Sequence, residues 1–409
     1  MTDLDEVLDE YNHYRQMGLS LDMTRGKPSS QQLDLSMPLM SILSTSDYRT
    51  LDSTDCRNYG GVDGIPEARQ LFAEFFGCNA EQVIVGGNAS LQLMHDTLLR
   101  CMFLGVSGQS PWGNGIRFLC PSPGYDRHFA ICEMLGISMI PVPLDSSGPD
   151  MDMIEELVLR DSSIKGIWCV PKYSNPTGCI YSDEVICRLA DMQTAAEDFR
   201  IFWDNAYGHH HFTGEDVELG NILEACIDAG NDDRVFMFGS TSKITFASAG
   251  IAAMAGSKAN VDSLKKLMLV QSIGPDKLNQ LRHVKFFGDM DGIKAHMGKH
   301  AEILRPKFEK VDEVLETRLG GNGMASWTKP KGGYFVSLDT ISGVAGRVVQ
   351  LARMAGVQLT AAGATWPYGK DPYDTNIRIA PSMPTVEEID LAINILCCCI
   401  ELATLETDL

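Results

Sequence analysis

The feature that most constrains this chain is an alternation. Apolar runs of strand length, "VIVGG" (83 to 87), "IRFLCPSP" (116 to 123), "GIWCVP" (166 to 171), "RIFWD" (200 to 204) and "RVFMFGS" (234 to 240), are separated by segments of helical pattern. Runs that are apolar throughout are buried on both faces, and strands alternating with helices build a parallel sheet covered on both sides. The expected fold is therefore α/β, with a large three-layer α/β/α domain around a mainly parallel sheet. Each run ends in Gly, Pro, Asn, Asp or Ser, so polar side chains gather at the carboxyl ends of the strands. That edge is where open α/β sheets bind ligands.

From about residue 295 the pattern changes. A long charged helix over "KAHMGKHAEILRPKFEKVDEVLETRL" leads to "GGYFVSLD", a helix over 344 to 355, "NIRIAPS" and a final helix over "IDLAINILCCCIELATL". This predicts a smaller α+β domain over 296–409 after a large domain over 46–295. Residues 1–45 predict an arm that packs on the small domain or on a partner subunit. A chain of 409 residues can bury a core in each of two domains.

Charge narrows the function classes. A net charge of -20 excludes sequence-independent binding to a nucleic-acid backbone, which needs clustered Lys and Arg. No apolar run reaches the roughly 20 residues of a membrane span, and the acidic start "MTDLDEVLDEYNHYRQ" is unlike a signal or transit peptide. The expectation is a cytoplasmic protein with neither nucleic acid nor membrane as a partner. The 12 cysteines include no C-x-x-C pair and read as buried thiols, including the run Cys397, Cys398 and Cys399. "HHH" at 209 to 211 has no carboxylate or cysteine at ligand spacing, so no metal is expected.

The chemistry collects at the strand ends. Lys243 lies in "FGSTSKITFASAGIAAM", among small, hydroxyl and apolar side chains. A desolvated lysine loses its proton more easily, and the neutral amine is a nucleophile towards carbonyls. Asp204 closes the apolar run "RIFWD", where a buried carboxylate needs a cationic partner, and Tyr207 follows in "DNAY". Asn175 sits in the "SNPTG" turn, with an amide free to donate. "VIVGGNASLQLMHDTL" runs from a strand into a helix, so Gly87, Asn88, Ala89 and Ser90 offer backbone N–H groups to an anion. Tyr125 in "PSPGYDRHF" can stack on a planar ring. Arg378 in "NIRIAPS" presents a planar fork suited to a carboxylate.

Taken in order, these segments resemble the class I, fold-type I aminotransferases that depend on pyridoxal 5'-phosphate, from "RNYGGVDGIPEAR" (57 to 69) to "NIRIAPS" (376 to 382). "DMTRGKPS", "PGYDRHF" and "GSTSKITFASAG" are most similar to the divergent aspartate aminotransferase subgroup, which also resembles the aminotransferase domain of MocR-type regulators. The resemblance implies that Lys243 carries the cofactor as a Schiff base and moves the proton at the substrate Cα. It assigns Asp204 to the pyridine nitrogen, Tyr207 and Asn175 to the ring oxygen, and Tyr125 to the ring face. Gly87 to Ser90, with Ser240 and Ser242, would hold the phosphate, and Arg378 the substrate α-carboxylate. Tyr59 matches the tyrosine that reaches the neighbouring subunit's phosphate, which implies a homodimer with shared sites.

Many class I members place an Arg eight positions after the lysine; Ile251 stands there in this chain. The function implied is transfer of the amino group of an amino acid, L-aspartate above others, to 2-oxoglutarate by ping-pong chemistry. A second substrate carboxylate calls for another cation, and the segments near the cofactor supply Arg25, Lys27 and Arg127, with Gly26 expected at the substrate beside the first two. Another donor specificity, a lyase, and a non-catalytic cofactor-binding regulator are the alternatives that the residues leave open.

Overall fold

The structure is a computed structural model that describes residues 4–214 and 216–407. In chain order, β1 (Leu21–Asp22) lies in the N-terminal segment. It is followed by β2 (Val83–Val85), β3 (Arg117–Ser122), β4 (Ser138–Pro143), β5 (Ile164–Cys169), β6 (Arg200–Asp204), β7 (Val235–Ser240) and β8 (Ala252–Gly256). These seven form one sheet in the order β2-β8-β7-β6-β5-β3-β4. All of its pairings are parallel except those of β8, which runs antiparallel to both neighbours. The α/β fold with a mainly parallel sheet is thus present.

The apolar runs become strands because both faces of the sheet are covered. In β6, Ile201 and Trp203 point into one apolar cluster with Val235 and Met237, and Phe202 points into another with Phe118, Trp168 and Phe236. Two strands lie outside the five sequence runs, and each has a physical reason. Strand β4, "SMIPVP", is an edge strand that tolerates Pro141 and Pro143. Strand β8, "AAMAG", consists of small residues, and Ala252, Ala253 and Ala255 are fully buried.

The C-terminal part contains β9 (Ala325–Trp327), β10 (Val336–Thr340), β11 (Val357–Gln358) and β12 (Asn376–Ile379). The sheet β12-β10-β9 is antiparallel, and β11 pairs in parallel with β1. The helix Met290–Leu319 crosses residues 295 and 296 without a break. The N-terminal helix Leu4–Gln16 packs on the C-terminal helix Val386–Glu406. Arg318 ties the two together through Glu10 at 2.9 Å and Glu401 at 2.8 Å. Cys397, Cys398 and Cys399 are buried in that core, and desolvation pushes the first two thiols up to about 12. Among the described residues no helix is long and apolar enough to cross a membrane.

Four buried histidines and the half-buried His209 are held neutral, chiefly by desolvation. His209 and His283 are lowered to about 4 and His300 to about 3, while His210 and His296 are lowered from the usual value. Below pH 6.5 the unfolded chain takes up protons that the folded chain refuses, so stability falls as pH drops from about 6.5 towards 4. The slope is about 1.4 kcal/mol per pH unit for each histidine involved. Thermal unfolding between pH 7.5 and 5.5 should show a clear loss of Tm, and a flat or rising Tm would contradict this reading.

Candidate active site

Because the central strands are parallel, their carboxyl ends share one edge, and the chemistry-bearing residues follow from it. Asp204 ends β6, and its Oδ2 accepts a hydrogen bond from His128 Nε2 at 3.1 Å. Both side chains are at most 4% exposed, and the His128 ring stacks on Trp168 at 4.3 Å. Asp204 Oδ1 is buried with no partner. A carboxylate oxygen left this way is costly, so the position suits a ligand that brings a cationic N–H. His128 was not singled out from the sequence, although it was in view in "PGYDRHF". It follows Tyr125 by three residues at a helix start, a spacing that puts both on one face, and the two rings meet edge to face at 5.0 Å.

Lys243 lies in the turn after β7. Its Nζ stands 4.8 Å from the centre of the Tyr207 ring and has no hydrogen-bond or ion-pair partner among the described residues. The backbone around it is held from behind. Lys243 O accepts from Tyr334 Oη at 3.2 Å and from His210 Nε2 at 3.3 Å, and Ile244 O accepts from His296 Nε2 at 2.9 Å. The amide of Gln32, fully buried, donates to Tyr334 Oη at 2.9 Å. Gln32, His210, His296 and Tyr334 thus fix the position of the lysine. They come from four distant segments and carry no common sequence signal.

Tyr207 is buried, and desolvation, with the Asp204 charge behind it, raises its hydroxyl pKa, so it remains a proton donor. Burial pushes Tyr125 up to about 12, and the Lys243 charge opposes part of that shift.

The phosphate-type cradle forms where two segments meet. The helix Ser90–Phe103 begins after Ala89, which gives no side-chain cap; Gln92 N donates to Ala89 O at 3.1 Å, and the N–H groups of Ser90 and Leu91 remain available to an anion. Ser242 Oγ donates to Asn88 O at 2.5 Å, and Ser242 N donates to Ser240 Oγ at 3.1 Å. Gly250 allows this turn, since a Cβ there would lie 2.8 Å from Ser242 N. Ile251 is 1% exposed in the apolar core; its O accepts from Thr241 N at 2.8 Å and its N donates to Thr241 Oγ1 at 2.9 Å. A guanidinium at that position would be buried among apolar groups. No Lys or Arg side chain bonds to the cradle residues among the described residues.

Arg378, on β12, is 5% exposed. Its Nη1 donates to Asp126 Oδ1 at 3.0 Å and Asn175 Oδ1 at 3.4 Å, and its Nη2 donates to Thr360 Oγ1 at 3.1 Å and Thr24 O at 3.5 Å. Its Nε is buried without a partner. Thr24 brings the segment "TRGK" alongside. Gly26 packs so closely that a Cβ would lie 2.7 Å from the Phe335 ring. Arg25 and Lys27 are exposed and Arg127 is half-buried, and the side chains of all three lack a hydrogen-bond or ion-pair partner among the described residues. Tyr59 is 81% exposed, on a loop pinned by Lys277 Nζ at 2.6 Å from Asn58 O and 2.7 Å from Gly60 O.

The three consecutive histidines diverge. His209 meets the Phe75 ring, His210 supports Lys243, and His211 faces Asp216 at 3.5 Å. Among the described residues no group of three or more His, Cys, Asp or Glu side chains is placed to hold a metal.

The sequence profile of the aspartate amino-transferase family matches residues 2–409. A Mycolicibacterium smegmatis protein described as a candidate aminotransferase is 52% identical, over 95% of this chain and 92% of its own length. The aspartate aminotransferase of Corynebacterium glutamicum is 44% identical, over 98% of this chain and 94% of its own. A solved aspartate transaminase from that organism superposes with a TM-score of 0.96, covering 99% of this chain and 96% of that one. The α-aminoadipate aminotransferase LysN of Thermus thermophilus, at 19% identity and a TM-score of 0.77 over 98% and 95% of the two chains, shares the fold. The unmet oxygen of Asp204, the unpaired amine of Lys243 and these full-length likenesses agree: the chain belongs to the aspartate amino-transferase family and is a fold-type I aminotransferase.

Proposed function

We propose that this aminotransferase uses pyridoxal 5'-phosphate to move the amino group of L-aspartate to 2-oxoglutarate in two ping-pong half-reactions. The observation that carries the dicarboxylic preference is the charge around Arg378. In a chain of net charge -20, Arg25, Lys27 and Arg127 lack an ion-pair partner among the described residues, and they lie next in sequence to Thr24 and Asp126, which bond to the Arg378 guanidinium. One cation suits the α-carboxylate and a neighbouring one the distal carboxylate. The Corynebacterium aspartate aminotransferase, at 44% identity, supports the same substrate.

The residues fit the cofactor. Bound at this site, the cofactor supplies an electron sink for negative charge developing at the substrate Cα. Asp204 Oδ1 is placed to accept the ring N–H, and His128 holds the other carboxylate oxygen. Asn175 Oδ1 is engaged by Arg378, which leaves its amide N–H groups to donate to the ring oxygen together with the Tyr207 hydroxyl. Tyr125 covers the ring face. Gly87, Asn88, Ala89, Ser90, Ser240 and Ser242 receive the phosphate. Lys243 Nζ, without a hydrogen-bond or ion-pair partner among the described residues, would hold the cofactor and move the proton at the substrate Cα.

The reading extends to a homodimer with shared sites. Tyr59 is exposed on the loop whose Gly60 lies against Gly274, and Leu269, Val270 and Ile273, just before Gly274 in the chain, are 60%, 91% and 61% exposed. Such an apolar patch suits a second copy, to whose phosphate Tyr59 would reach.

Half-reactions with a panel of amino donors, followed by cofactor absorbance, test the substrate. L-Aspartate and L-glutamate should exceed L-alanine and L-leucine in kcat/KM by about tenfold or more, and the reverse order would overturn the reading. Arg378→Ala should raise the KM for L-aspartate by about 10²-fold while cofactor affinity changes little. An unchanged KM would remove Arg378 from the substrate site.

A further inference from the structure

The guanidinium of Arg378 has two unlike edges. Nη1 is tied to Asp126 Oδ1 at 3.0 Å, in an ion pair whose side chains are 5% and 29% exposed. Asn175 Oδ1 shares that nitrogen at 3.4 Å. On the other edge, Nε is buried with no partner, and Nη2 makes only neutral contacts, to Thr360 Oγ1 at 3.1 Å and Thr24 O at 3.5 Å. A carboxylate is received best by two parallel N–H groups, and on the Nε–Nη2 edge it meets an unengaged Nε and an Nη2 whose two neutral partners an anion can displace. Asp126 reaches the arginine from a different element, as the first residue of the helix Asp126–Met134, directly after Tyr125.

We propose that Asp126 is a positioning residue that presents the Nε–Nη2 edge of Arg378 to the substrate, and that its charge limits how tightly carboxylates bind there. The inference rests on Arg378 being the carboxylate receptor, as argued above. Held by Asp126, the guanidinium plane is set before substrate arrives, so its ordering does not weaken binding. A carboxylate on the free edge then shares one cation with Asp126, and the repulsion between the two anions loosens it. In a ping-pong reaction the amino acid and the oxo acid leave by the same site in every cycle. Binding the ground state more tightly than needed would slow that exchange without helping the chemical step.

The two roles act in opposite directions, and two variants separate them. Asp126→Asn keeps an oxygen for Nη1 and removes the charge, while Asp126→Ala removes both. Succinate and propionate, which carry carboxylates and no amine, are titrated into the holoenzyme by calorimetry, independently of turnover. The Asn variant should bind both at least about fivefold more tightly than wild type. The Ala variant should bind them more weakly than the Asn variant, with a raised KM for the amino donor. Unchanged or weaker binding by the Asn variant would overturn the proposal, and equal binding by the two variants would overturn the positioning role. If wild type binds neither probe, Arg378 is not a carboxylate receptor and the functional reading fails too. If wild type binds and the Asn variant matches it, this inference alone fails.

Discussion

Lys243→Ala abolishes transamination as the expected result, with a loss of about 10⁴-fold or more. Proton transfer by a placed side chain contributes about 10²–10⁴-fold by itself, and the same residue is also the covalent anchor. The fold should survive, because the Lys243 amine has no hydrogen-bond or ion-pair partner among the described residues. The bonds from Tyr334 and His210 go to its backbone carbonyl, which alanine keeps. Borohydride trapping followed by peptide mass analysis reports the covalent link, and single-turnover spectroscopy reports the chemistry. An alanine variant with wild-type turnover would sink the assignment.

Asp204→Asn tests the other end of the cofactor. The amide preserves shape and an oxygen for His128 Nε2, but removes the charge and replaces one oxygen with an N–H donor. A buried cationic N–H on the ring would lose its counter-charge, so kcat/KM should fall by about 10²–10³-fold. Cofactor affinity, measured by fluorescence quenching, should fall with it. The cofactor-free variant should unfold at nearly the wild-type temperature, because Asp204 Oδ1 has no partner among the described residues to lose. Loss of stability in the cofactor-free protein with normal turnover would make Asp204 a structural residue instead.

The legible parts of the fold were those where one physical signal dominated. Runs such as "RIFWD" are apolar because both sheet faces are covered, and they became strands at nearly the expected bounds. Strands β4 and β8 were missed because their reasons for being strands are not local. Pro141 and Pro143 are tolerated at an edge, and the Ala-rich β8 owes its extension to pairing with β2 and β7. Asp204, Tyr207, Lys243 and Asn175 stood out as candidates because polar groups that follow buried runs need a chemical reason, and Arg378 because it is a cation between β-formers. The ion pair of Arg378 with Asp126, and the bond of His128 to Asp204, join residues far apart in the chain, and no spacing announces them.

The amino-acid order by itself determined the fold class, singled out Lys243 as the candidate reactive lysine and showed Ile251 where many class I members place an arginine, since each follows from local pattern and residue type. Only the tertiary structure decided which side chains hold Lys243 from behind, which oxygen of Asp204 is left unmet and which edge of Arg378 has only neutral partners among the described residues. It also showed why Ile251 stands where it does, in the apolar core behind the cradle. The reason is that hydrogen bonds and ion pairs are set by distances of about 3 Å between atoms. Chain folding brings those atoms together from segments that share no local signal.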